Sequence, residues 1–279
     1  MTKLDIFTAE DVLKKLDHTG LIGCELLVLD EVDSTNTRIK QEYAAQKPDG
    51  FTLIARQQTA GRGRLGRTFA SPASDGLYLS VLLRPNLPPE QINFITTAAA
   101  VAVCRAIEAV AGFTPGIKWV NDILMHGRKL CGILVEAGFT GGGTLDYAVL
   151  GIGINLRFDP AAHPALAEIA GGLTDFSDRV FGHAELAAVL LQELDRVYAL
   201  LCAGDTAAIL NEYRAHLLGM GETITVHGSE GPWQATCTGL DAQGHLLVRD
   251  DRGEHVLSSG EISIRLAEQK NMPAKEFDQ

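Results

Sequence analysis

Gln57-Gln58-Thr59-Ala60-Gly61-Arg62-Gly63-Arg64-Leu65-Gly66-Arg67 follows directly on the strand-like run Phe51-Thr52-Leu53-Ile54-Ala55. Glycine reaches backbone conformations closed to other residues, so such a loop can bend sharply and turn its own N–H groups towards an anion. Arginine adds planar, permanently charged forks that grip a phosphate or carboxylate with two bonds. No Asp or Glu lies between Asp49 and Asp75, whereas Arg56, Arg62, Arg64 and Arg67 do. The whole chain carries −11, so the loop is a positive island in an acidic protein. By letter, residues 61–66 fit GxGxxG. The residues that follow, Arg67-Thr68-Phe69-Ala70-Ser71-Pro72, do not open a helix, and no Lys-Ser or Lys-Thr completes a phosphate loop. A bounded, single-copy loop between two strands reads as a ligand-binding loop. A solvated basic loop and an RNA-binding segment are the competing readings.

The surroundings of this loop set the fold class. Thr8 with Asp11 caps a short helix, and residues 24–29 form a strand leading into Asp33-Ser34-Thr35-Asn36, the start of a helix through Ala45. Residues 77–83, bounded by Gly76 and Pro85, read as a buried strand. Pro88-Pro89-Glu90 opens a long, alanine-rich helix over 91–111, uncharged from Ile92 to Cys104 and stopped by Gly112. Short strands flank an Asn121-Asp122 turn, a longer strand begins at Lys129, and the Gly141-Gly142-Gly143 tip returns the chain into a strand over 145–155. Helices are predicted over 184–202 and 206–217. From Gly221 the pattern changes to short alternating strands at 222–227, 233–240, 245–249 and 255–258, the signature of a small β-barrel.

Composition narrows the function. An apolar fraction of 46% over 279 residues is a globular value, enough for one large domain and a small one. No uninterrupted run of about 18 apolar residues suggests a membrane span, and the N-terminus lacks the features of a secretory signal. Five scattered cysteines without a CxxC pair suit reduced thiols in a cytoplasm. The histidines show no metal-binding spacing. Net negative charge argues against nonspecific DNA binding.

Four clusters carry chemistry. Ser34-Thr35-Asn36 offers hydroxyls and an amide to a neutral polar ligand, or merely caps a helix. The arginine–glycine loop is the second. Lys118-Trp119-Val120-Asn121-Asp122, with Arg128-Lys129 after it, places charges within strand patterns, although a charged surface hairpin has the same letters. Gly151-Ile152-Gly153-Ile154-Asn155 puts two glycines into an apolar strand, which marks close approach of a backbone or ligand, or a packing constraint.

Together with Gly260-Glu261-Ile262-Ser263, these segments resemble the biotin–protein ligase family in order and spacing over about 5–265. The resemblance implies an α+β fold. Residues 1–219 would form a class II aminoacyl-tRNA synthetase-like catalytic domain, a mixed sheet with flanking helices. Residues 220–267 would form an SH3-like barrel, followed by a polar tail over 268–279. It implies that biotin and Mg·ATP give biotinyl-5′-AMP, and that a lysine of a biotin carboxyl carrier domain, of acetyl-CoA carboxylase or another biotin carboxylase, then takes the biotin. By the same resemblance Ser34, Thr35, Asn36 and Gln58 hold the ureido head of biotin. Arg62, Gly63 and Arg64 close over the ligand, and Gly132 lets the strand pass near it. Lys129 holds the biotin carboxylate and the phosphate. Arg67, Phe69, Lys118, Asn121 and Asn155 face ATP. Lys129, Arg64, Lys118 and Asp122 are the expected catalytic residues, and Asp122 is the one candidate for touching Mg2+. Val120 stands where the family usually has Pro, and Phe69 where many members have Trp. Barely thirty residues precede Asp33, too few for the winged helix-turn-helix of some members, so no nucleic-acid partner is expected. A cytoplasmic monomer or homodimer is expected. The nearest alternative activity is a lipoate or octanoate ligase of the same fold; a nucleic-acid-binding module is the alternative from another class.

Overall fold

In a computed structural model, the structure describes residues 7–16, 20–73, 75–88, 91–228, 231–258 and 260–264. The expected polar tail lies outside these residues, as do Pro89 and Glu90 of the helix-opening segment.

Alternation of apolar residues along the central strands leaves one face of the main sheet to be buried under helices. The chain runs α1 (Ala9–Leu13), β1 (Leu26–Val32), α2 (Thr35–Arg38), β2 (Thr52–Gln58), β3 (Gly76–Leu83), α3 (Asn93–Ala111), β4 (Gly116–Lys118), β5 (Asp122–Met125), β6 (Arg128–Phe139), β7 (Leu145–Asn155), α4 (His183–Cys202) and α5 (Thr206–His216). Seven strands form one sheet in the order β1-β2-β3-β7-β6-β5-β4. β1 pairs with β2 in parallel and every other neighbour is antiparallel, so the sheet is mixed. Leu79, Val81, Ile133, Ile152 and Ile154 join a core with α3, α4 and α5. A second, smaller core gathers Ile39, Phe51, Leu53, Leu82 and Val149.

Thr8 and Asp11 form the expected capping box of α1. The helix expected from Asp33 to Ala45 is four α-helical residues followed by a π-helical turn, Ile39–Tyr43. Periodicity alone does not separate these, because the apolar residues recur at nearly the same spacing. α3 is long and apolar enough to cross a membrane, although the sequence shows no uninterrupted apolar run of that length. Thr97 and all its alanines but Ala109 are buried, with the sheet and α4 against it, which explains a helix nearly apolar all round.

The second sheet holds β8 (Thr223–Gly228), β9 (Gly231–Leu240), β10 (Leu246–Asp250), β11 (Gly253–Leu257) and β12 (Glu261–Ile264), in the order β11-β10-β9-β8-β12. Sequence patterning finds the first four of these strands but not β12, whose four residues are too few to show alternation. Hydrogen bonds tie this part of the chain to the main body near the site: Trp119 Nε1 donates to Gly244 O at 3.1 Å, Arg214 Nη2 to Leu240 O and Asp241 O at 3.2 Å, and Arg64 Nη1 to Gly260 O at 3.5 Å.

Candidate active site

Cross-strand register places the chemistry on one sheet face. Tyr78, Gly153, Gly132, Asp122 and Lys118 are successive partners across β3, β7, β6, β5 and β4. Two residues along, Leu53, Ser80, Gly151 and Leu134 form the next row on the same face. Glycines in the middle of both rows hollow the face into a trough. The glycines read from sequence as a close approach are explained by two side chains of this protein. A Cβ on Gly151 would lie 2.3 Å from Asn36 Oδ1, and one on Gly153 2.5 Å from Phe69 Cε1. A Cβ on Gly132 would meet Lys129 Nζ and Phe69 Cε2 at 3.2 Å. Phe69 therefore lies flat over a patch without side chains, with its ring edge to Tyr78 and 6.0 Å from Lys129 Nζ.

Every predicted site residue except Asn155 borders a single cavity over this trough. Asn155 borders a second cavity with Tyr78, Asp75, Arg157 and His163. Arg67, Thr68, Phe69 and Lys129 border both and form the wall between them. Sequence reasoning assigned nothing to Tyr78, Asp75, Arg157 or His163. Tyr78 was legible in principle, as a polar-tipped residue in an apolar strand. Burial is the chief influence on Asp75, raising its carboxyl above the ordinary range.

The floor of the first cavity is polar. Ser34, Thr35 and Asn36 are each only 3% exposed. Ser34 occupies the N-cap of α2 but makes no capping hydrogen bond, so capping alone does not account for it. Thr35 N–H donates to Gln58 Oε1 at 2.9 Å, and Gln58 Nε2 to Ser71 Oγ at 2.8 Å.

The arginine–glycine loop forms its lid as a small hairpin. Gly63 N–H donates to Arg67 O at 2.7 Å and Phe69 N–H to Gly61 O at 2.9 Å, while Arg62 and Thr68 bridge. The amides of Gly63, Arg67 and Phe69 are engaged within the loop, and Arg62, Arg64 and Arg67 bring its guanidinium groups to the cavity border. Its tip carries the positive φ values, at Leu65 (54°) and Gly66 (74°). Gly61 is needed for space instead, since a Cβ there would lie 2.3 Å from Phe69 O. Arg62 Nη1 pairs with Glu136 at 3.1 Å, and Arg64 Nη1 reaches Asn121 Oδ1 at 3.1 Å and Gly260 O at 3.5 Å.

At the far wall Lys129 Nζ meets Asp122 Oδ1 at 2.6 Å. Asn121 Nδ2 donates to Ile133 O at 2.9 Å, so this amide, expected to face a nucleotide, braces β6 and Arg64 beside the first cavity. Lys118 pairs with Asp122 through the strand ladder, but its side chain makes no hydrogen bond or ion pair with any described residue. Asn155 Nδ2 donates to Gly171 O at 3.2 Å and Lys129 O at 3.4 Å, which ties the second cavity's rim to the backbone of Lys129. The Trp119–Val120 bond is cis. Among the described residues no group of three or more His, Cys, Asp or Glu could hold a metal ion. The arrangement is thus two clefts, one floored with neutral polar groups, meeting at lysine and arginine. That geometry suits bringing two anionic groups together under cationic screening.

Comparison with known proteins defines the class. Residues 28–155 match the model of the biotin/lipoate A/B protein ligase family, and residues 219–265 match the biotin protein ligase C-terminal domain. The bifunctional ligase/repressor of Bacillus spizizenii is 30% identical over 88% of this chain and 76% of its own. The biotin–[acetyl-CoA-carboxylase] ligase of Mycobacterium tuberculosis is 32% identical over 85% and 88%. A biotin protein ligase from Aquifex aeolicus, solved in complex with biotin and ATP, superposes with a TM-score of 0.73 at 28% identity, covering 87% of this chain and 99% of that one. The chain belongs to the biotin–protein ligase family, with its class II synthetase-like catalytic fold and C-terminal β domain.

Proposed function

We propose that this protein activates biotin with ATP and transfers it to a lysine of a biotin carboxyl carrier domain. The observation that carries the reading is the pair of clefts meeting at Lys129 and Arg67. An acid seated on the polar floor of the first cleft and a nucleotide in the second would bring carboxylate and α-phosphate together at that wall. In the first step a carboxylate oxygen attacks the α-phosphorus and pyrophosphate leaves, giving biotinyl-5′-AMP. In the second, the carrier lysine's nitrogen attacks the acyl carbon, loses a proton, and AMP departs.

The residues of this chain have distinct parts in that scheme. Ser34, Thr35, Asn36 and Gln58 hold the ureido head. Arg62, Gly63 and Arg64 form the cover, and Gly132 keeps the trough open. Lys129 screens the two approaching anions, oriented by Asp122. A charge-assisted bond of this kind contributes about 1.5–3 kcal/mol. Lys118, whose side chain has no partner among the described residues, binds phosphate in this reading, while Arg67, Phe69 and Asn155 line the nucleotide side. Magnesium enters with ATP in this reading. The described residues supply no cluster to hold it, and Asp122 already faces Lys129. The division at 219/220, a monomer or homodimer in the cytoplasm, and the lack of a nucleic-acid partner complete the reading.

Biotin-dependent exchange of radiolabelled pyrophosphate into ATP, followed by biotin transfer to a carrier domain, tests it. Exchange with biotin and none with lipoate is expected. Exchange that requires lipoate, or none with either acid, overturns the assignment.

A further inference from the structure

Beneath the first cavity runs a continuous row of hydrogen bonds, with a carboxylate at one end. Glu136 Oε2 accepts from Asn36 Nδ2 at 3.0 Å, and Glu136 Oε1 accepts from Lys40 Nζ at 2.6 Å. Arg62 of the lid lies 3.1 Å from the same Oε1. Asn36 Oδ1 is 2.6 Å from Ser80 Oγ, which is 2.7 Å from Thr35 Oγ1, which is 3.1 Å from Gln58 Oε1. Ser80 is fully buried and Glu136 does not border the cavity.

Counting protons gives the row a direction. A carboxylate only accepts, so Glu136, at 3.0 Å, holds the Asn36 NH2 towards itself, with the Leu134 carbonyl as a longer second acceptor at 3.4 Å, and the Asn36 carbonyl is turned towards Ser80. The 2.6 Å contact then takes the single Ser80 proton, and the 2.7 Å contact takes the Thr35 proton. The long 3.1 Å contact is left without one. Thr35 Oγ1 and Gln58 Oε1, both bordering the cavity, keep spare lone pairs.

We propose that Glu136 is a positioning residue for biotin recognition: its carboxylate sets the direction of the Asn36–Ser80–Thr35 row and so makes the cavity floor an acceptor for the ureido N–H groups. The inference rests on the biotin reading above. The ionised form it needs is favoured. Burial works against the charge, but hydrogen bonds from Lys40 and Asn36 and the charges of Lys40 and Arg62 outweigh burial and hold the carboxyl below its ordinary range. Gly151 belongs to the same device, because it leaves the space in which Asn36 lies.

Glu136→Gln keeps the shape and reverses the row. The new amide turns its oxygen to Lys40 and Arg62 and its NH2 to Asn36. Asn36 turns over, Ser80 donates to Thr35, and Thr35 donates to Gln58, which consumes the spare lone pairs. Isothermal titration of the full chain with biotin alone, with thermal melts alongside, tests this. Glu136→Gln is expected to weaken biotin about tenfold, one hydrogen bond's worth, and to leave the KM for ATP unchanged. Lys40→Met, which removes one ion pair but keeps the carboxylate, is expected to leave biotin affinity within about twofold, since Asn36 and Arg62 still meet that carboxylate. Glu136 and Ser80 both bond Asn36 within one row, so the Ser80→Ala and Glu136→Gln penalties should not add in the double variant. Wild-type affinity in Glu136→Gln, additive penalties, or an equal loss in Lys40→Met overturns the inference. Should Glu136→Gln fail to fold, unchanged affinity in Ser80→Ala overturns it instead. No biotin binding by the wild type would sink the functional reading itself.

Discussion

Adding one methyl group at Gly151 or at Gly153 should produce two different defects, although the residues are two apart on the same strand. In Gly151→Ala the new Cβ falls 2.3 Å from Asn36 Oδ1 and 2.9 Å from its Cγ. Asn36 is 3% exposed and held by Glu136, Leu134 O and Ser80, so it has nowhere to retreat. Overpacking of this kind costs about 1–3 kcal/mol. At about 2–4 °C per kcal/mol for a protein of this size, the melting temperature should fall by roughly 2–12 °C. In Gly153→Ala the Cβ meets Phe69 Cε1 at 2.5 Å and Cζ at 2.8 Å. Phe69 is half-buried and borders both cavities, so its ring can swing into open space. The stability loss should stay below about 1 kcal/mol, because volume that can relax costs little. The displaced ring instead obstructs the clefts, and KM should rise for both biotin and ATP. Differential scanning calorimetry with steady-state kinetics on both variants checks this. Equal melting losses, or a Gly153→Ala enzyme with unchanged KM values, would refute the account of Phe69 as a wall resting on glycine.

Four further outcomes are expected. Lys129→Ala should lower the rate of pyrophosphate exchange by about 10²–10³, the usual loss for one stabilising donor, while the biotin Kd changes less; single-turnover kinetics separates the two. Arg64→Ala removes the links to Asn121 and Gly260 and should let the adenylate escape, seen as biotinyl-AMP in the filtrate of a rapid ultrafiltration. Trp119→Phe deletes the bond to Gly244 O and should cost about 0.5–1.5 kcal/mol in urea unfolding. Asp241 is held below its ordinary carboxyl pKa. Burial opposes the charge, but hydrogen bonds from the His245 and Gln243 amides and the His245 ring outweigh it. Its contribution is therefore complete above the ordinary value of 3.8 and lost as pH falls through the lower folded value. Asp241→Asn should destabilise at neutral pH, and the difference from wild type should shrink in acid, as followed by melts from pH 7 to pH 2.

Much of the scaffold is written in local punctuation. Gly76 and Pro85 bracket β3, Gly112 ends α3 in a left-handed conformation, and the Gly141-Gly142-Gly143 tip joins β6 to β7. The cationic lid and the lysines were legible because charge inside strand patterns is costly unless placed. Glu136 and Ser80 were not. Each reads as an ordinary strand residue, and their relation to Asn36 depends on register across three strands. The wall between the clefts was hidden for the same reason, since it needs Phe69, from the loop, to land on glycines 63 and 84 residues further along. The resemblance to known ligases supplied what local patterning could not, the kinship of distant segments.

α3 also bears on how the protein is made. Its partner α4 is translated about seventy residues later, and β6 and β7 also emerge after it. While synthesis is in progress, a 19-residue apolar helix therefore leaves the ribosome before the surfaces that cover it exist. During that interval the nascent chain resembles a substrate for membrane-targeting machinery or chaperones. Ribosome-bound chains halted before His183 should be captured by such factors, and chains halted beyond α5 should not.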